Sequence, residues 1–115
     1  MINIRKEITN PHILYLTKSI LYRTRIEQGL EAYEIMKRLV YVAYRMSEKR
    51  GFITYGTFLN FAMDWLDRKE TIYDFMGLRH REGQYAIIFG LDLHTVLKGT
   101  YAQIEQEIPN FIEKH

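Results

Sequence analysis

The sequence predicts a mostly α-helical fold, organised as a single compact domain over residues 1–115 with four to five helices. Three observations carry that expectation. Apolar residues recur at helical spacing, most regularly over residues 30–50 and from Phe58 to Leu66. Side chains suited to helix starts precede those runs, at Asn10-Pro11, Thr54 and Thr71. Finally, 115 residues with 47% hydrophobic and 26% charged side chains, but only seven Gly and two Pro, are enough for one core and too regular for a low-complexity chain.

Each element follows from local pattern. Ile2, Ile4 and Ile8 alternate loosely with polar residues, leaving room for one short β pairing at residues 2–8. Asn10 as cap and Pro11 at the first helical position open a helix over about 11–27, in which Ile13, Leu16, Ile20 and Thr24 share a face; Gly29 ends it. The helix over about 30–50 is the clearest. Its first turns hold Glu31 and Glu34, its end holds Lys49-Arg50, and Gly51 follows as a left-handed stop. At 100° per residue its polar side chains gather in an arc of roughly 120°. Leu39 and Ala43 fall opposite and should be inaccessible.

Thr54 caps a third helix, with Ile53 and Phe58 placed as a hydrophobic staple, and Phe58, Leu59, Ala62, Trp65 and Leu66 mark its inner face. Thr71-Ile72-Tyr73-Asp74 has the form of a capping box for a short helix ending near Gly77. Residues 78–83 read as a polar loop. The apolar run 85–91 reads equally as buried strand or buried helix, a second place for a β pairing. A last amphipathic helix runs from Asp92 to about 108, where Pro109 stops it.

Composition narrows function mainly by exclusion. Sixteen basic and fourteen acidic residues give a net charge of +2, too balanced for a protein held by phosphate contacts alone. Without cysteine there is no disulfide, thiol nucleophile or Cys-ligated zinc, which favours a cytoplasmic location. No apolar stretch resembles a signal peptide or a membrane span. The four histidines, His12, His80, His94 and His115, lack ligand spacing, so no metal and no cofactor is expected. Serine occurs only at 19 and 47, and neither a P-loop nor a dinucleotide fingerprint is present, so an enzyme is not expected.

Residues 84–99 resemble a helix-turn-helix: Ala86, Gly90, Leu91 and Val96 sit at workable packing positions. On that reading His94, Thr95 and Lys98 would meet DNA, although Leu93 and Leu97 on the same helix suit a core better. An ordinary helical hairpin is the plainer reading.

Nine tyrosines in 115 residues is a high count, and Tyr with Arg is a favoured pairing at protein interfaces. Tyr41 falls inside the charged arc of the 30–50 helix, so Arg38, Tyr41, Arg45 and Lys49 are the expected partner contact. The expected function is that of a small intracellular protein acting by binding another protein or a second copy of itself. An inhibitor, an immunity protein or a regulatory adaptor, of bacterial, phage or mobile-element origin, fits this character. The alternative is a DNA-binding regulator using residues 84–99.

Overall fold

A computed structural model of the chain describes residues 3–48, 54–76 and 93–114. Asn3 precedes a single helical turn, α1 (Ile4–Glu7), where the alternation suggested a strand. Ile4 and Ile8 both pack on the core, which a turn achieves as well as a strand would. No β pairing occurs among the described residues, and 85–91 lie outside them.

α2 (Pro11–Gln28) begins as expected: the Asn10 side chain accepts hydrogen bonds from the backbone N–H of His12 and Ile13 at 2.9 and 3.2 Å. Gly29, at φ 102° and ψ 175°, is the whole connection to α3 (Leu30–Ser47). That φ is one L side chains rarely adopt, so glycine is required at this joint. α3 stops at Ser47 rather than continuing to 50; Lys49, Arg50 and Gly51 lie outside the described residues.

α4 (Tyr55–Arg68) starts on Thr54, whose hydroxyl accepts from the Thr57 N–H; Ile53, its proposed staple, lies outside the described residues. It ends on Lys69 in the left-handed conformation, φ 60°. The capping box then forms as read. Thr71 N–H donates to Asp74 Oδ2 at 3.3 Å, Asp74 N–H donates to Thr71 Oγ1 at 3.1 Å, and helix α5 covers residues 72–76.

The expected C-terminal helix is two helices, α6 (Leu93–Lys98) and α7 (Tyr101–Lys114). A second capping box explains the break. Thr100 N–H donates to Gln103 Oε1, and Gln103 N–H donates to Thr100 Oγ1, which starts a new helix at Tyr101. Gly99 is needed between them, because a Cβ there would lie 2.5 Å from the Thr95 carbonyl oxygen. Pro109 does not end α7. It removes one backbone donor, while Ile104 and Ile108 are buried and hold the preceding turns.

α3 is central. It packs on α2, α4, α6 and α7, and Leu39 and Ala43 are fully inaccessible. Trp65, Phe58 and Phe75 form an aromatic group on the α4–α5 side, and Trp65 Nε1 donates to the Thr71 carbonyl at 2.7 Å. The Cα radius of gyration is 13.1 Å, that of one compact globule of this length.

One buried polar link joins α2 to α4. The Thr17 hydroxyl donates to the Ile13 carbonyl at 2.9 Å. Its one proton thus used, it accepts from the Tyr55 hydroxyl, also at 2.9 Å. Thr17→Val should strand the Tyr55 hydroxyl and cost about 1–3 kcal/mol, whereas Tyr55→Phe leaves Thr17 bonded and should cost less. Urea midpoints at unchanged slope check this. Burial pushes the Tyr55 phenol up to about 12. The folded value then exceeds the unfolded one, so this stabilisation is complete below about pH 10 and lost as pH rises through the folded value. The alkaline loss should shrink in Tyr55→Phe.

Candidate interaction surface

Of the residues expected to meet a partner, Arg38, Tyr41 and Arg45 are engaged by the C-terminal segment of the chain instead. Tyr41 is 3% exposed; its ring meets Tyr101 edge-on, centroids 5.0 Å apart, and its hydroxyl donates to Glu105. Arg45 reaches the same carboxylate, Nε to Oε1 at 2.9 Å and Nη2 to Oε2 at 3.2 Å, and Nη1 also pairs with Glu48. Arg38 donates to the carbonyls of Leu97 at 2.9 Å and Gly99 at 2.8 Å, and to that of Glu34. Those first two oxygens belong to the end of α6 and its exit, where helix carbonyls lack internal partners and carry partial negative charge. The polar line of α3 is therefore a seam to α6 and α7. A helical wheel places Tyr41 among charges, but it does not show that another segment covers them. Lys49 lies outside the described residues.

Of the three residues offered to DNA, Thr95 is buried beneath Gly99, which corrects its placement on an outer face. His94 and Lys98 are exposed. Lys98 shares a shallow hollow with Arg38, Tyr101 and Glu105, a mixed-charge lining. Residues 84–92 of that motif lie outside the described residues.

The outward-facing surface of interest is on α2, whose outer side carries large apolar side chains as its inner side does. The helix buries Thr17, Ile20, Leu21 and Thr24. The two threonines tolerate this because each hydroxyl donates back to a carbonyl four residues earlier, Thr24 to Ile20 at 2.7 Å. Meanwhile Tyr22 is 68% exposed and Tyr15 and Ile26 each 66%. At 100° per residue these three fall within about 40° of one line, opposite the buried set. Leu30 and Tyr73, 59% and 54% exposed, lie toward the same end of the helix, where the Tyr73 hydroxyl donates to Glu31 and Gln28 donates to the Glu70 carbonyl.

The flanks of this ridge differ. On one side Arg23 is held by Glu27 at 2.8 Å and Asp67 at 3.2 Å. On the other, Lys18 and Arg25 are exposed and pair with no carboxylate among the described residues; the Arg25 guanidinium lies 5.5 Å from the Tyr33 ring centre. Lys37 lies 5.3 Å from the same ring and 3.8 Å from Glu34. Beyond Tyr33 a cavity of about 490 Å³ opens between α1, α2, α3 and α7, walled by Leu21, Val40, Tyr41 and Tyr101, with Arg5 and Lys37 among its lining.

Among the described residues no group of three His, Asp or Glu could hold a metal, and no helix is long and apolar enough to cross a membrane. Comparisons with protein-family models, curated proteins and solved structures find no match.

The ridge was hard to find in sequence. The inner face of α2, with Ile13, Leu16, Ile20 and Thr24, is the one that periodicity picks out. Periodicity does not say that Tyr15, Tyr22 and Ile26 on the far side stay uncovered.

Glu105 should carry much of the seam. Burial pushes its carboxyl up, but hydrogen bonds from Arg45 and Tyr41, with the Arg45 charge, outweigh this and hold it below the ordinary range. Glu105→Ala should cost about 1–2 kcal/mol near neutral pH. Because the folded value is depressed, the contribution is present above the unfolded value near 4.3 and lost as pH falls through the folded one. Denaturation midpoints should therefore converge for wild type and Glu105→Gln as the solution is acidified.

Proposed function

We propose that this chain is a protein-binding module whose contact face is the outer ridge of α2, formed by Tyr15, Tyr22 and Ile26. One observation carries the reading: a helix that buries two threonines while leaving three large apolar side chains two-thirds exposed, aligned opposite the core. An isolated exposed ring is ordinary, but a contiguous apolar stripe is where partners dock. Rigid aromatic side chains lose little freedom on binding, which suits them to be anchors. The role this fits best is that of a small inhibitor, immunity protein or regulatory adaptor working by occupancy rather than chemistry.

The ridge also replaces Arg38, Tyr41 and Arg45 as the expected contact, since their polar groups are engaged within the chain. A DNA-binding role through His94 and Lys98 is the competing class, and nuclease treatment separates the two.

A photo-crosslinking amino acid at position 22 should capture a protein from host lysate after nuclease treatment, and the same group at Gln106 should not. Tyr15→Ser, Tyr22→Ser and Ile26→Ser together should change stability by less than about 1 kcal/mol, as surface changes do. They should weaken capture by at least about 2 kcal/mol, or some thirtyfold. Equal capture from both positions, or recovery only of nucleic acid, overturns the proposal.

A further inference from the structure

We infer that the partner segment seated on this ridge is an acidic amphipathic helix; the inference rests on reading the ridge as the contact face. Two independent features specify that chemistry. The first is spacing. Tyr15, Ser19, Tyr22 and Ile26 follow one another at four, three and four residues, the interval of a coiled-coil seam. Ser19, half-buried and small, leaves a hole between two rings, so the ridge presents knobs and a hole that a second helix can follow. From residue 15 to 26 the seam is about 17 Å long, three turns of an opposing helix.

The second feature is charge. Beside that seam stand Lys18 and Arg25, exposed and without a carboxylate partner among the described residues. Lys37 and Arg5 extend the cationic character past Tyr33, with Glu34 the acidic group close to Lys37. The opposite flank is already neutralised, since Arg23 is tied to Glu27 and Asp67. A helix lying on the seam thus meets uncompensated positive charge along one edge. Glutamate or aspartate at its flanking positions would lie opposite Lys18 and Arg25, and lysine there would be repelled.

The same arrangement disfavours a second copy of this chain. In an antiparallel pair, residue 15 would meet 26 and 19 would meet 22, which fits sterically. Yet Lys18 and Arg25 would then face the Arg25 and Lys18 of the other copy. In a parallel pair Lys18 would face Arg23, already held by Glu27 and Asp67, and would find no free carboxylate there. Flanking charges of one sign select against the antiparallel self-pair.

The test uses the full-length chain and three labelled peptides of about 21 residues each, equal in length and followed by fluorescence anisotropy at low salt. One has leucine at the seam positions and glutamate on both flanks, one has the same leucines with lysine flanks, and one is a scramble of the first. The glutamate peptide should bind at least about tenfold tighter than either other. Lys18→Glu with Arg25→Glu should reverse the preference for glutamate over lysine. Tyr22→Ser should weaken binding at least about tenfold. No binding of the glutamate peptide below about 100 µM, or a preference that survives the charge reversal, overturns the partner chemistry. The contact face itself would still stand if crosslinking at position 22 captured a protein, so the two failures are distinguishable. A single-stranded oligonucleotide that binds tighter than the glutamate peptide and is lost on Lys18→Glu overturns the inference in favour of nucleic acid. Sedimentation showing a dimer that Tyr22→Ser dissociates overturns it in favour of a second copy.

Discussion

A central helix that is packed on several sides still needs somewhere to put its charges, and in this protein they are satisfied by the end of the same chain. α3 carries Arg38, Tyr41 and Arg45 along one line, and each finds its partner between residues 97 and 105. Arg38 supplies cationic donors where α6 ends, and Glu105 accepts from both Tyr41 and Arg45. The C-terminal helices are thereby docked by directional bonds as well as by Val96, Ile104 and Ile108 in the core. Apolar contact alone would tolerate several registers; these hydrogen bonds select one.

α2 handles polarity differently. Thr17 and Thr24 sit in the interior beside Ile20 and Leu21, and their short hydroxyls return to their own helix. α2 packs on both α3 and α4. Apolar area is left outside, and that area is what gives the molecule a face.

Local features were legible in the sequence and distant ones were not. The caps at Asn10, Thr54 and Thr71 involve partners within three residues, so the residue types alone declare them. Gly29 and the inaccessible side of α3, with Leu39 and Ala43, follow from periodicity for the same reason. Periodicity alone puts Tyr41 on an outer face, because Glu105, which its hydroxyl meets, lies 64 positions away. The division at Gly99 is masked in the periodicity, since the apolar repeat runs on through both halves, although Thr100 and Gln103 spell a capping box. Pro109 reads as a stop in sequence, yet one lost hydrogen bond does not end a helix whose preceding turns are anchored. The inner line of α2, with Ile13, Leu16, Ile20 and Thr24, follows from periodicity, whereas the exposure of Tyr15, Tyr22 and Ile26 depends on what neighbouring segments leave uncovered.

The single-residue joint at Gly29 has a kinetic meaning. It connects two helices of eighteen residues each with almost no loop to close. Bringing α2 onto α3 therefore forfeits little chain entropy, and α2–α3 is also the most extensive helix pairing in the structure. Joining Arg38 to Gly99 closes a loop sixty-one residues long. The order of assembly that follows is a hairpin of α2 and α3 first, with the C-terminal helices arriving on a surface already made. Such a chain displays the α2 ridge, the proposed contact face, before its last third has docked, so occupancy of that face and completion of the fold can proceed as separate events.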